Sequence, residues 1–179
     1  MSISSKLQGV PIKKVFLGYG ENAILNTVDE IKRVIRESAY NPYVRRWAEQ
    51  IVEEVKPNDK YGEARAVYDF ITTHVRYTKD PKGMEFIQTP PLLLQMIEQG
   101  EIPKGDCDDI ATLAMSLLKS IGFDVGLKIT SYNAKGTFQH IYGLVKIKDK
   151  WVPFDGVRRD KHLGWEAKPH VRALETPVR

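Results

Sequence analysis

The chain has 179 residues, of which 42% are apolar and 28% charged. This balance excludes a disordered polymer and fits one soluble domain that buries roughly 70% of the surface its unfolded chain exposes. The formal charge of +4 does not describe a nucleic-acid face, because it sits at the ends. Residues 1–14 hold three lysines and no acid, and residues 158–179 hold six Lys or Arg against three acids.

No nucleic-acid motif accompanies this charge, and the basic ends read as solvated tails. No apolar run is long enough to span a bilayer, and no apolar leader follows Met1. The expected setting is cytoplasmic, without membrane or specific nucleic-acid partners. One cysteine excludes an internal disulfide and any multi-Cys zinc site.

In chain order, residues 1–26 read as an arm or edge strand, with a strand-like stretch from Val10 to Tyr19. Thr27 to Glu30 has capping-box spacing, and Val28, Ile31, Val34 and Ile35 recur at helical intervals, which predicts a helix over 28–39. Asn41-Pro42 is an N-cap and first-turn pair. The stripe Val44, Trp47, Ala48, Ile51, Val52, Val55 predicts a second helix up to Pro57. Ala64, Val67, Tyr68, Ile71 and Val75 mark a third helix over 61–75, followed by an extended stretch 76–79. Pro90-Pro91 introduces a short helix over 92–99 that ends at Gly100.

After a Pro103-Lys104-Gly105 turn comes the strongest helical pattern, Cys107, Ile110, Ala111, Ala114, Leu117, Leu118, Ile121, stopped by Gly122. From Phe123 the period becomes two, with Phe123, Val125, Leu127 and Ile129 alternating with polar residues. Residues 138–148 and 150–154 then form a predicted hairpin around Asp149. Helices first and antiparallel strands afterwards indicate an α+β domain over 27–157, with 158–179 as a basic C-terminal extension.

Cys107 follows the Gly105-Asp106 turn at a helix start, where free backbone N–H groups and the dipole favour thiolate and could hold an oxyanion. Asp106, Asp108 and Asp109 oppose its ionisation, so a cationic partner is required. These acids are expected to cap the helix and stay solvated. They depart from calcium-loop spacing, and no metal or cofactor is expected.

Of the four histidines, His140 is held in the alternating run 138–144 and suits a general base. His74, His162 and His170 are weaker in position. Asp155 lies on the same face of the hairpin as His140 and could orient it. With a turn at Asp149-Lys150, ideal pairing would set residue 159 opposite His140. A bulge, a bend at Pro153 or a departure from the ladder near Gly156 is therefore needed. Asp155 also reads as a turn residue before Gly156.

Gly105-Asp106-Cys107-Asp108-Asp109, the helix behind it, His140 in a strand and Trp151-Val152-Pro153-Phe154-Asp155 together resemble the core of the transglutaminase-like superfamily. The resemblance covers about residues 60 to 157 and includes Arg76-Tyr77 and Gln88-Thr89-Pro90 upstream. It implies a papain-like fold in which the nucleophile helix packs on an antiparallel sheet, with Cys107 as nucleophile, His140 as general base and acid, and Asp155 as orienting acid. Gly156-Val157 stands where many members carry Pro-Thr. Gln88 is the candidate side-chain oxyanion donor. The implied chemistry is amide or isopeptide hydrolysis, or acyl transfer to an amine, on a protein or peptide substrate. A non-catalytic binding or phage assembly module that keeps the fold is the competing expectation.

Overall fold

The computed structural model describes residues 13–14, 21–79 and 86–179. Lys13–Lys14 (β1) pairs antiparallel with Phe86–Ile87 (β3), and the rest of the expected strand from Val10 to Tyr19 lies outside the described residues. Helix α1 covers Glu21–Ala39 and begins about two turns before the expected start. The capping-box spacing at Thr27–Glu30 falls inside it. Ile24 extends the stripe of Val28, Ile31 and Ile35 at spacings of four, three and four, so core packing carries the helix upstream.

Helix α2, Pro42–Ile51, is capped as expected by Asn41, whose side chain accepts from the Tyr43 N–H at 2.9 Å. Val52 is its C-cap, with its N–H on the Ala48 carbonyl at 3.3 Å, and turns carry the chain on through Val55. Helix α3, Lys60–His74, is capped by Asp59. Arg76–Tyr77 (β2) follows it, α4 spans Pro90–Glu98, and Lys104–Gly105 (β4) precedes α5, Cys107–Ser120. Residues 104 and 105, expected in a turn, pair in parallel with β2.

Helix α5 is the centre of the domain. Besides its predicted stripe, Thr112 and Ser116 on the other side are fully buried, because α1, α2, α3, α4 and the sheet all pack around it. The sheet has the order β7-β6-β5-β8, built from Val125–Ser131 (β5), His140–Ile147 (β6), Lys150–Phe154 (β7) and Arg172–Pro177 (β8). Every neighbouring pair in it is antiparallel. Gly143 meets Met115 of α5 so closely that an added Cβ would lie 2.3 Å from the Met115 methyl. That contact identifies the face turned to the helix.

Two expectations are corrected here. The alternation in β5 predicts one wet face, yet all seven of its residues are buried. Lys128 lies on the face away from α5 and is 8% exposed, held by Glu166 and Glu175. The C-terminal stretch is not a solvated tail: β8 pairs with β5 from Gly126↔Pro177 to Ser131↔Arg172. Its pattern of single apolar residues among charged ones is too weak to announce a strand.

Candidate active site

The local sequence explains how α5 begins. Arg76 N–H donates to the Pro103 carbonyl at 2.9 Å and Thr78 N–H to the Gly105 carbonyl at 2.8 Å, which fixes the approach to the helix. A Cβ on Gly105 would fall 2.7 Å from Asp109 Cβ, so glycine is required for Asp109 to fold back over the turn. Asp106 is the N-cap and accepts from the Asp108 N–H at 3.1 Å. Asp109 completes the capping box by accepting from the Asp106 N–H at 3.3 Å. Capping is as expected for these two acids, but solvation is not. Asp108 is 4% exposed and Asp109 fully buried.

Asp109 does more than cap. Its carboxylate accepts the Gln88 N–H and the Gln88 Nε2–H, each at 2.7 Å. Burial pushes Asp109 up to about 7 despite those donors, with Asp106 adding to the rise. Gln88 Nε2 also donates to the Lys104 carbonyl at 2.7 Å. Both amide protons of Gln88 are therefore committed to holding the turn, and no N–H of its side chain is left for an oxyanion. The oxyanion role expected of Gln88 is corrected on that ground.

Cys107 occupies the first position of α5. Burial pushes its thiol well above the ordinary range, and Asp106 and then Asp108 push the same way. The backbone N–H of Ile141 and that of Cys107 itself pull it down. The Ile141 N–H marks where the sulfur sits, beside the first residues of β6.

His140 opens that strand and is itself partly buried. Its Nε2 lies 2.9 Å from Asp155 Oδ2, and Asp155 is 4% exposed. The register resolves the mismatch in level. Ile147 pairs with Lys150, so the two-residue turn is Lys148-Asp149, with Lys148 at φ 56°, one residue earlier than expected. The last pair is Gly143↔Phe154. A continued ladder would set Asp155 opposite Tyr142, but the chain leaves the ladder after Phe154 and Asp155 turns toward His140. Asp155 also keeps its turn role, since Oδ1 accepts from the Val157 N–H at 3.2 Å. The departure from the ladder is thus the one of the three devices that operates.

Tyr68, expected in the apolar stripe of α3, and Tyr142 support this corner. Tyr68 Oη donates to the Asp155 and Arg158 carbonyls at 3.3 Å. The Tyr142 ring lies 5.4 Å from the His140 ring, and its hydroxyl donates to Glu166. Only their chemistry as phenols in apolar stripes hinted at such bonds. Tyr77 stands opposite Gly105 in the β2–β4 pair and had no role in the sequence beyond its place before the helix. His74 Nδ1–H donates to the Phe70 carbonyl on α3 at 2.9 Å, apart from this constellation. Among the described residues, Asp106, Asp108 and Asp109 form the one acidic group whose ligand atoms lie within 4.8 Å of each other. Capping bonds already engage Asp106 and Asp109.

Comparison with known proteins agrees with this architecture. Residues 45–156 match the sequence profile of the Transglutaminase-like superfamily, more than half of the chain. No curated protein sequence matches. The fold is similar to that of a candidate cysteine protease from Cytophaga hutchinsonii, at TM-score 0.50 and 15% identity over 78% of this chain and 46% of the other. It is also similar to a candidate protease from Parabacteroides distasonis, at TM-score 0.57 and 13% identity over 79% of this chain and 30% of the other. Calcium-bound LapG from Legionella pneumophila aligns at TM-score 0.47 and 16% identity over 82% and 83% of the two chains. The chain thus spans less than half the length of the first two.

Proposed function

Because the chain belongs to the transglutaminase-like superfamily, we propose that it is a thiol-dependent hydrolase of amide or isopeptide bonds, with Cys107, His140 and Asp155 as its triad. The observation that carries this proposal is the 2.9 Å contact of His140 Nε2 with the buried Asp155, formed beside the strand N–H that meets the Cys107 sulfur. With Nε2 taken by Asp155, Nδ1 is the ring nitrogen left for the thiol. Proton transfer from Sγ to Nδ1 yields a thiolate paired with an imidazolium, and Asp155 favours that cation.

The thiolate then adds to the substrate carbonyl carbon, and the carbonyl electron pair moves to oxygen. The Cys107 N–H at the helix start stabilises that oxyanion. Collapse breaks the C–N bond, His140 gives its proton to the leaving amine, and a thioester remains. Water, deprotonated by His140, releases the acid and restores the thiol. An amine in place of water would make the same site an acyltransferase. Hydrolysis is favoured because no group among the described residues of the site is dedicated to holding an amine.

Reaction with iodoacetamide at neutral pH tests this against a non-catalytic binding or assembly module. The expected result is alkylation of Cys107 faster than that of free cysteine, slowed about 100-fold in His140→Ala. Alkylation at or below the rate of free cysteine, unchanged by the substitution, would leave the module as the function.

A further inference from the structure

We propose that Glu166 is a positioning residue for His140: its carboxylate anchors the Tyr142 hydroxyl, and the ring so fixed holds the imidazole in the orientation that serves Cys107. This rests on the acyl-transfer chemistry proposed above. The 2.9 Å contact with Asp155 restrains one nitrogen of the His140 ring. A single bond at one edge leaves the imidazole free to tilt about that contact, because the terminal torsion of histidine is broad. Aiming Nδ1 at the sulfur needs a second restraint, and it has to bear on the ring itself.

Tyr142 supplies it. It follows His140 by two residues on β6, so both side chains leave the strand on the same face. Their ring centroids lie 5.4 Å apart with the planes inclined by 35°, within the range of packed aromatic pairs. Tyr142 is buried, and its O–H donates to Glu166. Burial, followed by that bond to Glu166, raises the phenol above its ordinary pKa of 10. The hydroxyl therefore keeps its proton, and Glu166 is the acceptor.

Two lysines hold Glu166 in turn. Lys128 stands opposite Tyr142 in the β5–β6 ladder and opposite Glu175 in the β5–β8 ladder. Its Nζ meets Glu166 Oε1, the oxygen that the Tyr142 hydroxyl also uses, and Lys168 Nζ lies 3.2 Å from Oε2. The segment that carries Glu166 is pinned to β7, where Gly164 N–H donates to the Pro153 carbonyl at 2.9 Å. Burial would lift the carboxyl, but Lys128, Tyr142 and Lys168 outweigh it and hold it at about 2. The Lys128 and Glu166 side chains are 10% and 8% exposed. An ion pair so deeply placed adds little net stability, because desolvation of both charges offsets their attraction. What it does supply is a fixed oxygen beside Tyr142. Glu166 lies beyond residue 156, where the match to the superfamily ends, so this support comes from the C-terminal stretch of the chain.

The pH profile of Cys107 alkylation by iodoacetamide reads the orientation of His140. A thiolate–imidazolium pair reacts far below the ~8.5 of a free thiol, and a misplaced imidazole gives up that advantage. In full-length Glu166→Leu the acid limb is expected to move up by about one pH unit, with about 10-fold slower alkylation at pH 6. Tyr142→Phe, which keeps the ring and removes the hydroxyl, should show the same shift, and the double variant no larger one. Glu166→Gln keeps an oxygen for the Tyr142 hydroxyl and should stay within about 3-fold of wild type. An unchanged profile in Glu166→Leu or in Tyr142→Phe would overturn the role of Glu166 and leave the triad standing, whatever happens to the melting temperature. Shifts that add in the double variant would overturn it too, since independent effects on the fold add. So would a loss in Glu166→Gln as large as that in Glu166→Leu, because His140 would then be sensing the charge and not the anchored ring. If Glu166→Leu does not fold, Tyr142→Phe decides alone. Wild-type protein with the profile of a free thiol, unmoved in His140→Ala, would remove the acyl-transfer chemistry and this role with it.

Discussion

At the scale of single residues, the start of α5 gathers opposing demands on a few atoms. Cys107 is half-buried beside Asp106 and Asp108, and both desolvation and charge disfavour its thiolate. An imidazolium is therefore a physical requirement for nucleophilicity here. The same turn depends on Asp109, which joins α5 to Gln88 through two N–H donors and accepts a third from Asp106. Its folded-state value of about 7 lies above the ~3.9 of an unfolded aspartate. Folding thus takes up a proton at Asp109 between about pH 4 and pH 7, and the stability associated with this group is greatest at low pH and lost as pH rises through 7. Thermal melts of wild type and Asp109→Asn across pH 4 to 8 test this. The wild-type midpoint should fall relative to that of the variant up to pH 7 and run parallel to it above. Parallel curves over the whole range would show that the donors, not burial, set the charge state of Asp109.

At the scale of elements, the junction after β7 decides whether His140 meets its acid. Gly156 allows it, because a Cβ there would lie 2.9 Å from Ile110 Cγ2 and 3.0 Å from Ile71 Cγ2, side chains of α5 and α3 that are both buried. Glycine at 156 thus has a packing reason in this chain. Gly156→Ala should cost about 1–3 kcal/mol in denaturant unfolding, as overpacking of a filled core does. It should also slow Cys107 alkylation, because the residue moved is the neighbour of Asp155. Unchanged stability would mean that α3 and α5 yield freely. Much of this was legible in the sequence: the period of α5 gave the helix, the change of period at Phe123 gave β5 to β7, and the same-face rule gave His140 with Asp155. Their level was not legible, because a one-residue shift of the turn to Lys148-Asp149 moves the pairing by two. The place of Gln88 was not legible either, since its partner Asp109 is twenty-one residues away. The start of α1 was misplaced because packing of Ile24 outweighs a local capping signal.

At the scale of the whole molecule, the positive charge at the C-terminal end is built into the domain. Arg158 and Lys161 bind Asp160, Arg159 donates to the Thr73 carbonyl at the end of α3, and Lys168 pairs with Glu166. No helix among the described residues is long and apolar enough to cross a membrane. Beyond these ion pairs, β8 lies along the full length of β5, and its flanks are tied as well. Val171 N–H donates to the Ser131 carbonyl at 2.8 Å, and Val178 N–H to the Val125 carbonyl at 2.9 Å. Lys32 reaches Thr176 Oγ1 at 3.1 Å, Lys119 reaches the Val178 carbonyl at 3.2 Å, and Val178 is 4% exposed. A chain ending at residue 170 would lose these bonds and expose the edge of β5, a buried strand rich in Val, Leu and Ile. At about 1 kcal/mol for each ladder bond, the loss amounts to several kcal/mol, or a fall of ~10 °C or more in Tm. The bared edge is also a template for pairing between chains, so the truncated protein should elute as higher oligomers in size-exclusion chromatography. A solvated tail would behave oppositely: its removal would leave Tm and elution unchanged, and that outcome would show that β8 contributes nothing to the fold.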